Sequence, residues 1–350
     1  MGAAMSGPWD LPTNYQPLLS IRAIETAIKD IKDFFEKSLA QALNLQRVSA
    51  PLFVRGGTGV NDDLNGVERP VRFPVKDDGD ATVEIVQSLA KWKRMALGRY
   101  GFQPGDGLYT DMNAIRPDET LDSTHSIYVD QWDWEKIITP AERTRETLEQ
   151  TVRAIYDAVC RTEFHIASAY SNIRPILPEE ITFVTSEELY KLYPDLGPRE
   201  RETRICAERK AVFVLGIGAE LPDGQPHDGR APDYDDWITR RPDGGRGLNG
   251  DILLWNPVLG RAFEISSMGI RVSPESLLEQ LKIRNLEHRV ELDFHRMLLA
   301  GMLPQTMGGG IGQSRLCMFF LRTAHIGEVS VGIWPQAMID ACAKANIALL

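Results

Sequence analysis

The sequence predicts an α+β fold, and three observations carry that prediction. Two long stretches repeat apolar residues every three or four positions, as amphipathic helices do. Several shorter stretches alternate, or run apolar over about five residues, as strands do. Two of these, residues 251–255 and 262–266, are joined by a short turn that makes them antiparallel neighbours. No linker or internal repeat divides the chain, so residues 1–19 read as a leader and residues 20–350 as a single domain. With 43% hydrophobic and 25% charged residues among 350, there is ample material for a core.

In order along the chain, the leader has little periodicity and is expected to order on contact or to stay mobile. Ile21, Ile24, Ile28, Ile31, Phe35, Leu39 and Leu43 then mark one face of a helix that ends near Asn44. An extended piece follows over residues 45–53, because Pro51 disfavours helix at the residue before it. Strands are predicted at residues 71–75 and 82–86, followed by a basic helix through Gln87-Ser88-Leu89-Ala90-Lys91-Trp92-Lys93-Arg94. In Tyr128-Val129-Asp130-Gln131-Trp132-Asp133-Trp134-Glu135, alternation sets Asp130, Trp132 and Trp134 against Gln131, Asp133 and Glu135 on opposite strand faces. The second set is either the wall of a polar cavity or a solvated face.

Thr139-Pro140-Ala141-Glu142 is a capping box ahead of a long helix through Leu148, Val152, Ile155 and Val159. Thr185 starts a shorter helix, and residues 211–215 form a buried strand. Residues 221–250 are rich in Pro, Gly and Asp and form a long loop, a place where function often lies. A helix opens at Ser273-Pro274, and another runs through Val290, Phe294 and Leu298 to Gly301, with His288 and His295 as surface or packing residues.

Charge and cysteine usage narrow the function. A net charge of −10 gives no general attraction to nucleic acid or acidic membranes, so an anionic substrate needs locally placed cations. Cys160, Cys206, Cys317 and Cys342 include no Cys-x-x-Cys pair, which suits a reducing cytoplasm. No apolar run approaches the roughly 18 residues of a membrane span. Met1-Gly2-Ala3-Ala4-Met5-Ser6 fits a loose acylation pattern but lacks a basic cluster beside it, and is taken as part of the leader.

The densest chemistry is Gly308-Gly309-Gly310-Ile311-Gly312-Gln313-Ser314-Arg315, read as a tight glycine turn feeding a buried helix. Arg315 in a first helical turn opposes the helix dipole, so an anion such as phosphate is its natural partner; a packing turn with an Arg–carboxylate pair is the alternative. Arg116, in Arg116-Pro117-Asp118-Glu119, offers a second guanidinium, and Asp251 and Glu264 offer two hard oxygen donors to Mg2+. ATP is the economical ligand for that set.

These strings resemble the three motifs of class II aminoacyl-tRNA synthetases, and more closely the ammonia-dependent asparagine synthetases, from about residue 20 to the C-terminus. The match runs through Ser88 to Arg94, Val129 to Glu135, Ala231 to Trp237, Leu248 to Asp251, Ser266 to Arg271 and Gly308 to Arg315. The resemblance implies a class II synthetase-like antiparallel sheet flanked by helices, a homodimer, and a two-step reaction of aspartate, ATP and ammonia through β-aspartyl-AMP. It implies that Arg116 and Arg315 clamp the α-phosphate, with Asp251 and Glu264 on magnesium and Glu119, His125, Gly310 and Gly312 on the ATP side. Lys93 and Arg271 would meet substrate carboxylates, Asp133 and Asp235 the α-ammonium, and Ser88, Ser266 and Ser267 would add hydrogen bonds. Asp62 with Gln131 would orient ammonia or take its proton.

Two enzymatic alternatives fit less well: a tRNA ligase needs an anticodon-reading domain, and a glutamine-dependent synthetase needs a cysteine where Gly2 stands. A non-catalytic synthetase paralogue that binds nucleotide or amino acid is the alternative of another class. It would be expected to have lost some of Arg116, Arg315, Asp251 and Glu264.

Overall fold

A computed structural model describes residues 5–6, 9–64 and 68–350, so most of the acylation-like hexapeptide lies outside the described residues. Strand β1 (Met5–Ser6) pairs with β2 (Leu11–Pro12), and helix α1 (Ile21–Leu43) follows. Ser20 caps α1 by accepting from the Ala23 amide, and Asn44 ends it at φ 57°. Of the predicted apolar stripe, Ile24, Ile31, Phe35, Leu39 and Leu43 are buried, Ile28 is half-buried and Ile21 is exposed. Next come β3 (Leu45–Arg47), β4 (Phe53–Arg55), β5 (Arg72–Val75), β6 (Ala81–Ile85), α2 (Ala90–Arg99), β7 (Gly107–Ile115), β8 (Tyr128–Ile137) and α3 (Arg145–Ala169). The second half holds β9 (Thr182–Thr185), α4 (Ser186–Leu192), α5 (Pro198–Arg209), β10 (Ala211–Leu215), β11 (Asn249–Asn256), β12 (Arg261–Ile270), α6 (Pro274–Ile283), α7 (Asp293–Leu299), β13 (Thr306–Gly312), α8 (Gln313–Leu321) and α9 (Gln336–Lys344).

Eight strands form one sheet in the order β3-β7-β8-β13-β12-β11-β10-β9, antiparallel except at its two outer pairs. A small antiparallel sheet, β4-β6-β5, stands apart from it. Alternation gives the large sheet two unlike faces. Trp132, Trp134, Phe213, Met268 and Ile311 join α1, α3 and α8 in the main core, where the Phe35 and Trp132 rings lie 4.8 Å apart. On the other face, Val212, Val214 and Leu253 pack with α4 and α5, and α2 covers β7, β8 and β13.

Three local expectations are corrected. The glycine run is not a turn: residues 306–312 are a strand, and none of Gly308, Gly309, Gly310 or Gly312 has positive φ. The capping box at Thr139 closes a 3-10 turn, Pro140–Glu142, and Thr144 is the residue that caps α3. The helix expected through Val290 and Phe294 is broken at Leu292 into a 3-10 turn and α7. The leader packs inward from Trp9, with Leu11 and Tyr15 buried against the main core.

Candidate active site

Sheet register, rather than proximity in sequence, builds the site. Across four adjacent strands Asp133 (β8), Gly310 (β13), Ser267 (β12) and Asp251 (β11) are successive partners. A parallel row aligns Glu135, Gly308, Gly269 and Asn249. Residues of one row share a sheet face, so the polar set of β8 looks onto the same side as Ser267 and Asp251. Glycine forms the floor for a steric reason: a Cβ at Gly310 would lie 2.7 Å from Asp133 Oδ1, and one at Gly308 2.6 Å from the Trp134 carbonyl. Glycine here serves close approach rather than a left-handed backbone.

Over this floor hangs α2. Lys93 Nζ donates to the Gly309 carbonyl at 3.0 Å and lies 3.3 Å from Asp133 Oδ2 and 3.9 Å from Glu135 Oε2. Burial pushes the Lys93 ammonium pKa down, and the two carboxylates oppose that. Arg271 is held by Glu135 through Nε to Oε1 at 3.0 Å and Nη2 to Oε2 at 2.8 Å, and by Asp235 through Nη1. Burial alone would lower its pKa, but these carboxylates hold it above the usual arginine range. Thr306 Oγ1 donates to Glu135 at 2.7 Å, so Glu135 is fixed on both oxygens.

Arg116 lines a recess with Glu119, Gln87, Arg230, Tyr234, Asp235 and Ser267. Its Nη2 donates to the Gln87 carbonyl at 3.1 Å, while Arg116 Nε, Arg230 Nε and Gln87 Oε1 are buried without hydrogen-bond partners among the described residues. Buried polar atoms are seldom left unpaired, and these three belong to residues that line one recess. Arg315 lies in a neighbouring recess with His125, Asp251, Glu264 and Phe263. It donates to the Glu264 carbonyl at 3.0 Å and sits 3.7 Å from the Glu264 carboxylate. His125 is held by Asp122 at 2.9 Å, and Gly312 closes the end of β13 at the first turn of Arg315's helix.

A register shift after Ile252 pairs Glu264 with Leu253. Such a bulge re-aims side chains; Glu264, three residues from Ser267, thereby shares a recess with Asp251. Burial pushes the Asp251 carboxyl up to about 7, Arg230 opposes this, and Glu264 adds to it. Two neighbouring oxygen donors under mutual repulsion fit a small hard dication that keeps phosphate and water ligands.

Asp62 is buried beside the site. Tyr234 donates to its Oδ2 at 2.8 Å, the Leu64 amide bonds its Oδ1 at 3.2 Å, and Gln87 Nε2 donates to its carbonyl at 3.0 Å. Burial, offset in part by Lys91, raises its carboxyl to about 6. No hydrogen bond joins Asp62 to Gln131, whose Oε1 lies over Gly310 instead. Ser88 accepts from the Ala90 amide at 3.2 Å and so braces the start of α2, and Ser266 Oγ is buried with no partner among the described residues. Sequence reasoning missed the Glu135 clamp on Arg271 and the Arg230–Asp251 pair. The signal for the first was present, since Glu135 sits in register with Asp133 on the polar face. His295 is fully buried and bonds Asp233 at 2.6 Å, so it is a polar core residue.

With this geometry in hand, comparison adds identity. A family model described as aspartate-ammonia ligase matches residues 22–346. A Clostridium perfringens protein named aspartate–ammonia ligase is 61% identical over 340 residues, covering 97% of this chain and 98% of that protein. A Bacteroides fragilis protein of the same name is 56% identical over 339 residues, with the same coverage. Among solved structures, asparaginyl-tRNA synthetase from Pyrococcus horikoshii, complexed with asparaginyl-adenylate, superposes with a TM-score of 0.65 at 16% identity. That alignment covers 90% of this chain and 71% of that one, and shows a class II aminoacyl-tRNA synthetase fold.

Proposed function

Since the chain belongs to the aspartate–ammonia ligase family and is a ligase of asparagine biosynthesis, we propose that it joins L-aspartate and ammonia with ATP through β-aspartyl-AMP, releasing AMP and pyrophosphate. A carboxylate is a poor electrophile with a poor leaving group. Attack of the β-carboxylate on the α-phosphorus expels pyrophosphate and converts that oxygen into part of a phosphate leaving group. Ammonia then adds to the β-carbonyl carbon, loses a proton, and AMP departs with the bridging oxygen.

In this reading Lys93 and Arg271 meet the substrate carboxylates, while Asp133 and Asp235 take the α-ammonium and Ser267 adds a hydrogen bond. Arg116 and Arg315 bind the phosphates, and positioning with charge stabilisation does most of the work in such a transfer. Magnesium on Asp251 and Glu264 would supply charge neutralisation to the phosphate oxygens. Asp62, with its raised pKa, accepts the proton that ammonia loses, and Gln131 orients the incoming nitrogen. Glu119, in the Arg116 recess, and His125, in the Arg315 recess, are assigned to ATP. A homodimer in the cytoplasm belongs to the same reading, and the free thiols among the described residues agree with a reducing setting.

The observation that carries the proposal is the register row, which puts Asp133, Ser267 and Asp251 in line beneath Lys93. Retention of Arg116, Arg315, Asp251 and Glu264 speaks against the non-catalytic alternative. The test is product analysis with aspartate, Mg2+, ATP and ammonium: asparagine and AMP form in equal amounts, and Arg315→Ala lowers turnover by about 10²–10³-fold. Formation of ADP in place of AMP would refute the mechanism.

A further inference from the structure

We infer that Arg230 and a divalent cation compete for Asp251, so that cation binding transfers the Arg230 guanidinium to the nucleotide phosphates. The inference rests on reading Asp251 and Glu264 as metal ligands.

Asp251 offers the same oxygens to both cations. Asp251 is nearly buried, and its Oδ1 accepts from Arg230 Nη2, while Glu264 is faced by Arg315 at 3.7 Å. Asp228 adds a further carboxylate beside Asp251, so the set attracts a dication, and a guanidinium displaced by it is drawn to the polyphosphate. Asp251 is also the point of direct conflict, because the guanidinium already occupies one of its two oxygens.

Arg230 is built to change partners. It sits between Gly229 and Ala231 in a stretch without helix or strand. Among the described residues, its guanidinium donates besides Asp251 only to the adjacent Gly229 carbonyl, at 3.2 Å, and its Nε has no partner. Its side chain already lines the recess of Arg116, whose Nε is likewise unpaired among the described residues. The Arg230–Asp251 pair also joins that recess to the one holding Arg315 and Glu264. A guanidinium that lets go of Asp251 therefore has a phosphate site beside it, and its bidentate fork suits phosphate.

The experiment is a Mn2+ titration followed by electron paramagnetic resonance at pH 8, without and with ATP. Without ATP, Arg230→Met is expected to bind Mn2+ about tenfold more tightly than the natural protein, a normal size for coupling between ligands. Arg230→Lys restores weak binding, Arg230→Gln follows Arg230→Met should the latter fold poorly, and adding Asp251→Asn to Arg230→Met removes the gain. With ATP the order reverses, because the neutral variants lose a phosphate contact. Unchanged or weaker Mn2+ binding by both neutral variants would overturn the exchange. Asp251→Asn separates the two ideas: if it leaves Mn2+–ATP binding intact, the metal reading fails as well, whereas if it abolishes that binding, only the exchange has failed.

Discussion

At the residue scale, Asp62 links environment to chemistry most directly. Burial raises its carboxyl to about 6, with Asp233 adding to the effect and Lys91 opposing it. In the proton-acceptor role proposed for it, Asp62 must be ionised, so asparagine formation should rise with pH through about 6. Asp62→Asn should lower turnover by about 10²–10⁴-fold and erase that limb in a pH–rate profile at fixed free ammonia. A profile unchanged in shape would remove Asp62 from the proton's path. The same shift has a stability sign. A carboxyl whose folded pKa exceeds the unfolded value of about 3.9 favours the fold below that value and loses the contribution as pH climbs to about 6. Placing the ion inside therefore costs stability, as functional groups often do.

At the scale of the element, β13 shows what a sequence reveals and what it withholds. The residues Gly308 to Arg315 stood out as a candidate site because so many glycines before an arginine have few structural uses. Their conformation was not legible, since close approach and a left-handed turn both call for glycine. Only the partners decide, and Asp133, Gln131 and Trp134 lie far off in sequence. Gly310→Ala should accordingly displace Gln131 and Asp133, lower activity by about a hundredfold as a misplaced site does, and leave the circular dichroism spectrum unchanged. Full activity in that variant would contradict the role given to the glycine floor. The alternation in β8 was read correctly because period 2 is local, whereas the bulge that turns Glu264 toward Asp251 depends on pairing between two strands. The broken helix at Leu292 has the same lesson, since Val290 and Phe294 keep helical spacing across a break.

For the molecule as a whole, buried ion pairs tie distant segments together, and none could be paired from sequence alone. Glu163 on α3 accepts from the Ile176 and Leu177 amides at 3.1 and 3.0 Å and from Arg322 Nη2 at 2.7 Å, joining α3 to the segment after α8. Glu163→Ala strands the arginine and two amides, and chemical denaturation should report a loss of about 3–5 kcal/mol. A loss under about 1 kcal/mol, the value for exposed pairs, would mean that the contact is solvated. At this scale the α+β class and the long helices were legible because their periodicities are local. Of the strand order β8-β13-β12-β11, which assembles the row from Asp133 to Asp251, only the β11–β12 neighbours joined by a short turn were legible locally; the family resemblance implied an antiparallel sheet and not its order.

The central claim is that this row and the arginines beside it activate aspartate as an acyl-adenylate. Aspartate labelled with 18O in its β-carboxylate tests it in one turnover. The account predicts one labelled oxygen in AMP, none in pyrophosphate, and one remaining in the asparagine amide carbonyl. Label in a phosphate product other than AMP, or AMP without label, would contradict it.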